Sequence, residues 1–74
     1  MQFNKLVYGL IVRWDSAMGQ PKLKSAKANT ALLSWPGGTQ LYIENDQPSL
    51  LRLEDTGSLQ VENSRNNQIL LKKP

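Results

Sequence analysis

Residues Leu50–Lys72 read LLRLEDTGSLQVENSRNNQILLK. Apolar side chains fall on every second position in Leu51, Leu53, Leu59, Val61, Ile69 and Leu71. Their neighbours Arg52, Glu54, Ser58, Gln60, Glu62, Gln68 and Lys72 are polar, with Leu50 and Leu70 the exceptions. A period of two places alternate side chains on opposite faces of a strand, so the segment predicts three antiparallel strands with one dry and one wet face. Asp55-Thr56-Gly57 supplies a three-residue hairpin loop with glycine in the left-handed position. That loop would pair Leu53 with Leu59 and Leu51 with Val61. The loop Asn63–Asn67 would then pair Val61 with Ile69 and Leu59 with Leu71. One register serves both hairpins, and a one-residue slip would turn half of the apolar set to water.

Upstream, Thr30–Trp35 and Leu41–Glu44 read as strands around the turn Pro36-Gly37-Gly38. Asn45-Asp46-Gln47-Pro48 ends the second of them. Proline lacks the ladder donor, so the following strand is expected to begin no earlier than Ser49. Residues 32–45 also align without gaps on residues 50–63, with identity at Leu32/Leu50, Leu33/Leu51, Leu41/Leu59, Glu44/Glu62 and Asn45/Asn63. Fixed-period similarity points to a repeated unit, here a β-hairpin. It carries the expected pairing across to Trp35–Leu41 and Leu33–Ile43.

The first fourteen residues satisfy two patterns. Phe3, Leu6, Val7, Leu10, Ile11 and Trp14 fit one helix face, whereas Leu6, Tyr8, Leu10, Val12 and Trp14 alternate. The β-forming residues, and a weak upstream copy of the repeat at Ile11–Trp14, favour one long strand bent or bulged at Gly9. A helical N-terminal segment is the alternative. Between Asp15 and Asn29 the chain is polar, and Lys22 and Lys24 alternate with Leu23 in a manner suited to a guarded edge strand. The fold class expected is therefore all-β, a single domain over residues 1–74. It is a small antiparallel barrel or sandwich of about five to seven strands made from successive hairpins.

Composition narrows the chemistry. The chain has 74 residues, no Cys and no His. Disulfides, thiol nucleophiles and imidazole bases are thereby excluded, along with the best zinc ligands. The serines have only lysines as prospective bases, and Glu54-Asp55 sits at a solvated turn rather than in a cleft that would split two carboxyl pKa values. Asp46, Glu44 and Asn45 lack the regular oxygen spacing of a calcium loop. No enzyme, metal or cofactor is expected. The apolar run Leu6–Val12 is too short to span a bilayer and has no cleavage site after it, so a soluble protein without signal peptide, cytoplasmic or virion-associated, is the expectation.

A chain this short buries only about 60–65% of its unfolded surface. Without disulfides or metal the remedy left is self-association, so a homo-oligomer is expected. Leu32, Tyr42, Leu50 and Leu70 are apolar groups on the expected wet face, and Trp14 and Trp35 are candidate anchors. Together they point to a non-catalytic structural or interaction subunit that docks with itself or in a larger assembly, such as a phage or viral particle. The net charge of +3 supports an alternative, a nucleic-acid-binding small β-barrel using Arg13, Lys22, Lys24 and Lys27 beside aromatic stacking platforms. A small inhibitor of a partner enzyme is a further alternative using the same apolar surface.

The stretch Leu51–Val61 also resembles the hairpin of bulb-type mannose-binding lectins. That family's sugar-binding pattern is Gln-x-Asp-x-Asn-x-Val-x-Tyr. Here the corresponding frame holds Glu54, Thr56, Ser58, Gln60 and Glu62, so the resemblance implies hairpin geometry and no sugar site.

Overall fold

Two four-stranded antiparallel sheets pack into a sandwich in the computed structural model, which describes residues 1–53 and 59–71. The strands are β1 (Gln2–Val7), β2 (Leu10–Asp15), β3 (Lys22–Lys24), β4 (Thr30–Ser34), β5 (Gln40–Glu44), β6 (Gln47–Arg52), β7 (Gln60–Glu62) and the two-residue β8 (Gln68–Ile69). Sheet order is β1-β2-β7-β8 in one layer and β3-β4-β5-β6 in the other. The all-β, hairpin-built sandwich expected from the alternation is what forms; the layers do not close into a barrel.

The N-terminal segment is neither a helix nor one strand. A two-residue turn, Tyr8-Gly9, with φ of 43° and 81°, folds β1 back on β2. Both central residues of such a primed turn need positive φ, which suits the right-handed twist of the flanking strands. The register pairs Phe3 with Trp14, Lys5 with Val12 and Val7 with Leu10. Core-facing positions are thus odd in β1 and even in β2. This phase change across the turn, with Leu6 and Ile11 paired on the outer face, produces the apolar spacing that imitates a helix. Tyr8 is held in its unfavourable conformation by a 2.9 Å hydrogen bond between its hydroxyl and Ser25 Oγ in the other layer.

The β4–β5 hairpin closes through Pro36-Gly37-Gly38. Trp35 N–H donates to Thr39 O at 2.9 Å, Gly38 N–H donates to Trp35 O at 3.0 Å, and Gly38 takes φ of 108°. This closure sets Leu33 opposite Leu41 and Ala31 opposite Ile43. The expected pairings Trp35–Leu41 and Leu33–Ile43 are therefore displaced by two residues, which preserves the buried face. Asn63–Asn67 repeats the same loop, with Asn66 at φ of 64°, and gives the expected Val61–Ile69 pair.

Three expectations for residues 47–61 are corrected. Strand β6 starts at Gln47 and contains Pro48, because Asn45-Asp46 is a two-residue turn and Glu44–Gln47 closes it. Pro48 opposite Ile43 then falls at a non-hydrogen-bonded position of an edge strand, where the missing N–H would have faced outward. A register shift pairs Leu41 with Leu50 but Gln40 with Arg52, leaving Leu51 as an extra residue. The register set by the Asn45-Asp46 turn buries Leu50 and leaves Leu51 45% exposed, and the bulge after Leu50 turns Arg52 outward as well. Finally, β6 pairs with β5, while β7 pairs with β2 and β8. The chain crosses between layers after β6, so Leu51 does not pair with Val61 and the eighteen-residue similarity does not mark a repeated hairpin. The Asp55-Thr56-Gly57 turn and Glu54 lie outside the described residues.

One core cluster joins the layers: Val7, Leu10, Val12, Trp14, Leu59 and Val61 from one side, Ala31, Leu33, Trp35, Leu41, Ile43 and Leu50 from the other. Trp14 and Trp35 meet across it edge to face, ring centres 5.6 Å apart. Each sheet edge carries a feature that discourages strand addition. Lys5 shares the core-facing side of β1 with Val7 yet stays exposed, β3 is three residues long with two lysines, β6 holds Pro48, and β8 has two residues.

Candidate interaction surface

The outer face of the β3–β6 sheet carries apolar groups on adjacent strands. Across it lie Lys24, Leu32, Tyr42 and Ser49 in one row and Lys22, Ser34, Gln40 and Arg52 in the next. Leu32, Tyr42 and the bulged Leu51 line a shallow groove of about 240 Å³, with Lys24 beside it. Leu51 follows Ser49 on this face by alternation, and the bulge after Leu50 brings Arg52 to the same face beside it. Of the six interaction candidates, Leu32 and Tyr42 are here, half-buried by their neighbours. Leu50, Trp14 and Trp35 are not surface groups. They are 4%, 2% and 2% exposed and belong to the core.

Leu70 is 90% exposed and does not line that groove; it shares a cleft with Gln47, Pro48 and Ser49 at the β6 edge. It borders a separate apolar cleft of about 390 Å³ between β6 and β8, lined also by Leu50, Leu59, Val61 and Ile69.

The four basic candidates do not converge. Lys22 and Lys24 stand on the edge strand β3, and Lys27 lies in the following loop. Arg13 is in the opposite sheet, where its Nη1 lies 3.3 Å from Glu62 Oε1, a partner standing on β7 one strand across. Trp14 and Trp35 are buried against each other, which removes them as stacking platforms for bases. Among the described residues there is no group of three acidic, His or Cys side chains placed to hold a metal, and no helix long and apolar enough to cross a membrane.

Tyr42 carries the one polar signature of the strip. Its hydroxyl donates to Glu44 Oε2 at 2.8 Å. That hydrogen bond, then desolvation and the carboxylate's charge, hold the phenol above its ordinary value of 10.0. The bond is present while the phenol keeps its proton, so its contribution to stability is complete below the ordinary value and fades as pH rises through the raised one. Ultraviolet titration should show one tyrosine ionising above 10, and Glu44→Ala should move that midpoint back down. An unchanged midpoint in the variant would remove Glu44 as the cause.

No protein-family model, curated protein or solved structure matches the chain. The class the structure defines is a two-sheet all-β sandwich with an apolar strip on one outer face.

Proposed function

We propose that the protein is a non-catalytic assembly subunit that pairs, through the outer face of the β3–β6 sheet, with a second copy of itself. The observation that carries this reading is the Leu32–Tyr42–Leu51 strip, a lateral run of apolar groups across three strands on a face that no other part of the described chain covers. Contiguous exposed apolar surface of this kind marks an interaction site more often than scattered apolar residues do. The guarded edges direct association to a face rather than to strand addition. The nucleic-acid reading is less well supported, because Glu44 places a carboxylate beside the sole aromatic of that face and Arg13 is occupied by Glu62.

Sedimentation equilibrium at micromolar concentration tests the reading. The wild-type chain should weigh more than its 8.3 kDa monomer. Leu51→Asp should return it to monomer without loss of folding, since Leu51 is already half-exposed. Leu70→Asp should leave association intact. A monomeric wild type, or dissociation by Leu70→Asp instead of Leu51→Asp, contradicts this assignment.

A further inference from the structure

The apolar strip is bordered by charges that are unevenly placed. Lys22 and Lys24 stand on β3 at one side and Arg52 on β6 at the other, all exposed on the outer face. Lys27 follows β3 in a loop whose amide N–H donates to Thr30 Oγ1 at 2.9 Å. Thr30 is the cross-strand partner of Glu44, so Lys27 stands at the far end of the face from the Lys22–Ser34–Gln40–Arg52 row. Against these cations the face offers the carboxylate of Glu44, which accepts from the Tyr42 hydroxyl; Asp46 is in the turn beyond it.

This distribution limits how two copies can meet. Stacked sheets of the aligned class keep their strand directions within about 30° of each other, and a two-fold pair uses the same patch on both copies. Two arrangements satisfy both conditions. With the axis across the strands, the Lys22–Arg52 end of one copy covers the Thr30–Glu44 end of the other. With the axis along the strands, β3 of one copy covers β6 of the other. Each arrangement brings a cation to Glu44, Arg52 in the first and Lys27 in the second. Both leave Lys22 facing a like charge, Lys27 in the first and Arg52 in the second. Like charges set against each other across an interface oppose docking.

We propose that a small oxyanion with two or more negative charges, of the phosphate or diphosphate class, strengthens the pairing of two copies. It seats between Lys22 of one copy and the cation facing it on the other, held by charge-assisted hydrogen bonds from both side chains. The seat is incomplete in a single chain and occurs twice in the pair. It exists only where the strip joins two copies, so the effect rests on the function proposed above. Chloride screens the repulsion but does not bridge the two cations.

Sedimentation equilibrium of the full chain, in sodium chloride and in sodium pyrophosphate at the same ionic strength, reads the effect. Pyrophosphate should tighten association about tenfold or more, as a new charge-assisted contact does. Lys22→Gln should associate more tightly than wild type in chloride, because the repulsion is gone, and should lose most of the response to pyrophosphate. Its thermal midpoint should not change, since Lys22 is exposed. A residue that merely supported the contact would weaken association in both salts when replaced. Equal association of the wild type in the two salts overturns the anion seat and leaves self-pairing standing. So does a Lys22→Gln variant that pairs no more tightly in chloride or keeps the full pyrophosphate response. A wild type that stays monomeric in both salts overturns self-pairing, and the anion seat with it.

Discussion

Trp14→Ala should lower the melting midpoint by roughly 15 °C or more, the largest loss expected from any single truncation in this chain. Trp14 sits where the layers meet: its ring packs on Phe3 at 6.1 Å and on Trp35 at 5.6 Å, and its N–H ties the Gly19 loop to β2. Truncating a buried aromatic costs about 3–5 kcal/mol, because the transfer energy is lost and the void only partly collapses. A chain of this length has a total stability of about 4–11 kcal/mol. The variant therefore gives up a large share of its stability, in a protein with no disulfide to limit the unfolded state. Trp14→Phe separates packing from hydrogen bonding. It retains an aromatic ring and loses the bond to Gly19, and should cost about 1–2 kcal/mol. Thermal denaturation followed by far-ultraviolet dichroism measures both. A midpoint within about 5 °C of wild type for Trp14→Ala, equivalent to about 1 kcal/mol, would mean that the two sheets do not close over this ring.

Much of the fold is legible in the sequence because apolar alternation reports burial on one face, and burial drives the sheets together. Thr30–Ser34, Gln40–Glu44 and the Val61–Ile69 pairing follow from it directly. Alternation does not report phase breaks. Tyr8-Gly9 hides a hairpin because tyrosine is not a usual residue at positive φ, and its tether to Ser25 is a contact between layers that no local pattern announces. Leu51 hides a bulge for a similar reason: one inserted residue lets Leu50 and Leu53 both reach the core, so the phase read back from Leu53 is wrong for Leu51. Nor does alternation state which sheet a strand joins. Val61 buries the same side chain whether it pairs with Leu51 or with Val12, and the long-range partner decides. The candidate surface was legible at Leu32 and Tyr42, where phase is uninterrupted, and illegible at Leu51, where it is not.

Gly19→Ala should destabilise the protein by about 2–4 kcal/mol, well beyond the effect of Gly9→Ala. Gly19 follows the 3-10 turn Ser16–Met18 and takes φ of 81° with ψ of −173°, a region that essentially only glycine occupies. Its backbone is committed on both sides, since its N–H donates to Ser16 O at 3.1 Å and its carbonyl accepts from Trp14. A Cβ there would lie 3.2 Å from Pro36 Cγ, tighter than ordinary contact, and Pro36 is itself held by the β4–β5 turn. Relaxing the clash moves the loop and puts the Trp14 hydrogen bond at risk, so backbone strain and lost bonding add. Gly9 is the control. It shares a φ of 81°, but nothing lies within 4 Å of its would-be Cβ, so only the left-handed conformation is penalised, at about 1–2 kcal/mol. Chemical denaturation of the two variants in parallel compares them. Equal losses would show that the contact with Pro36 and the tie to Trp14 contribute nothing, and that the loop before β3 is anchored in some other way.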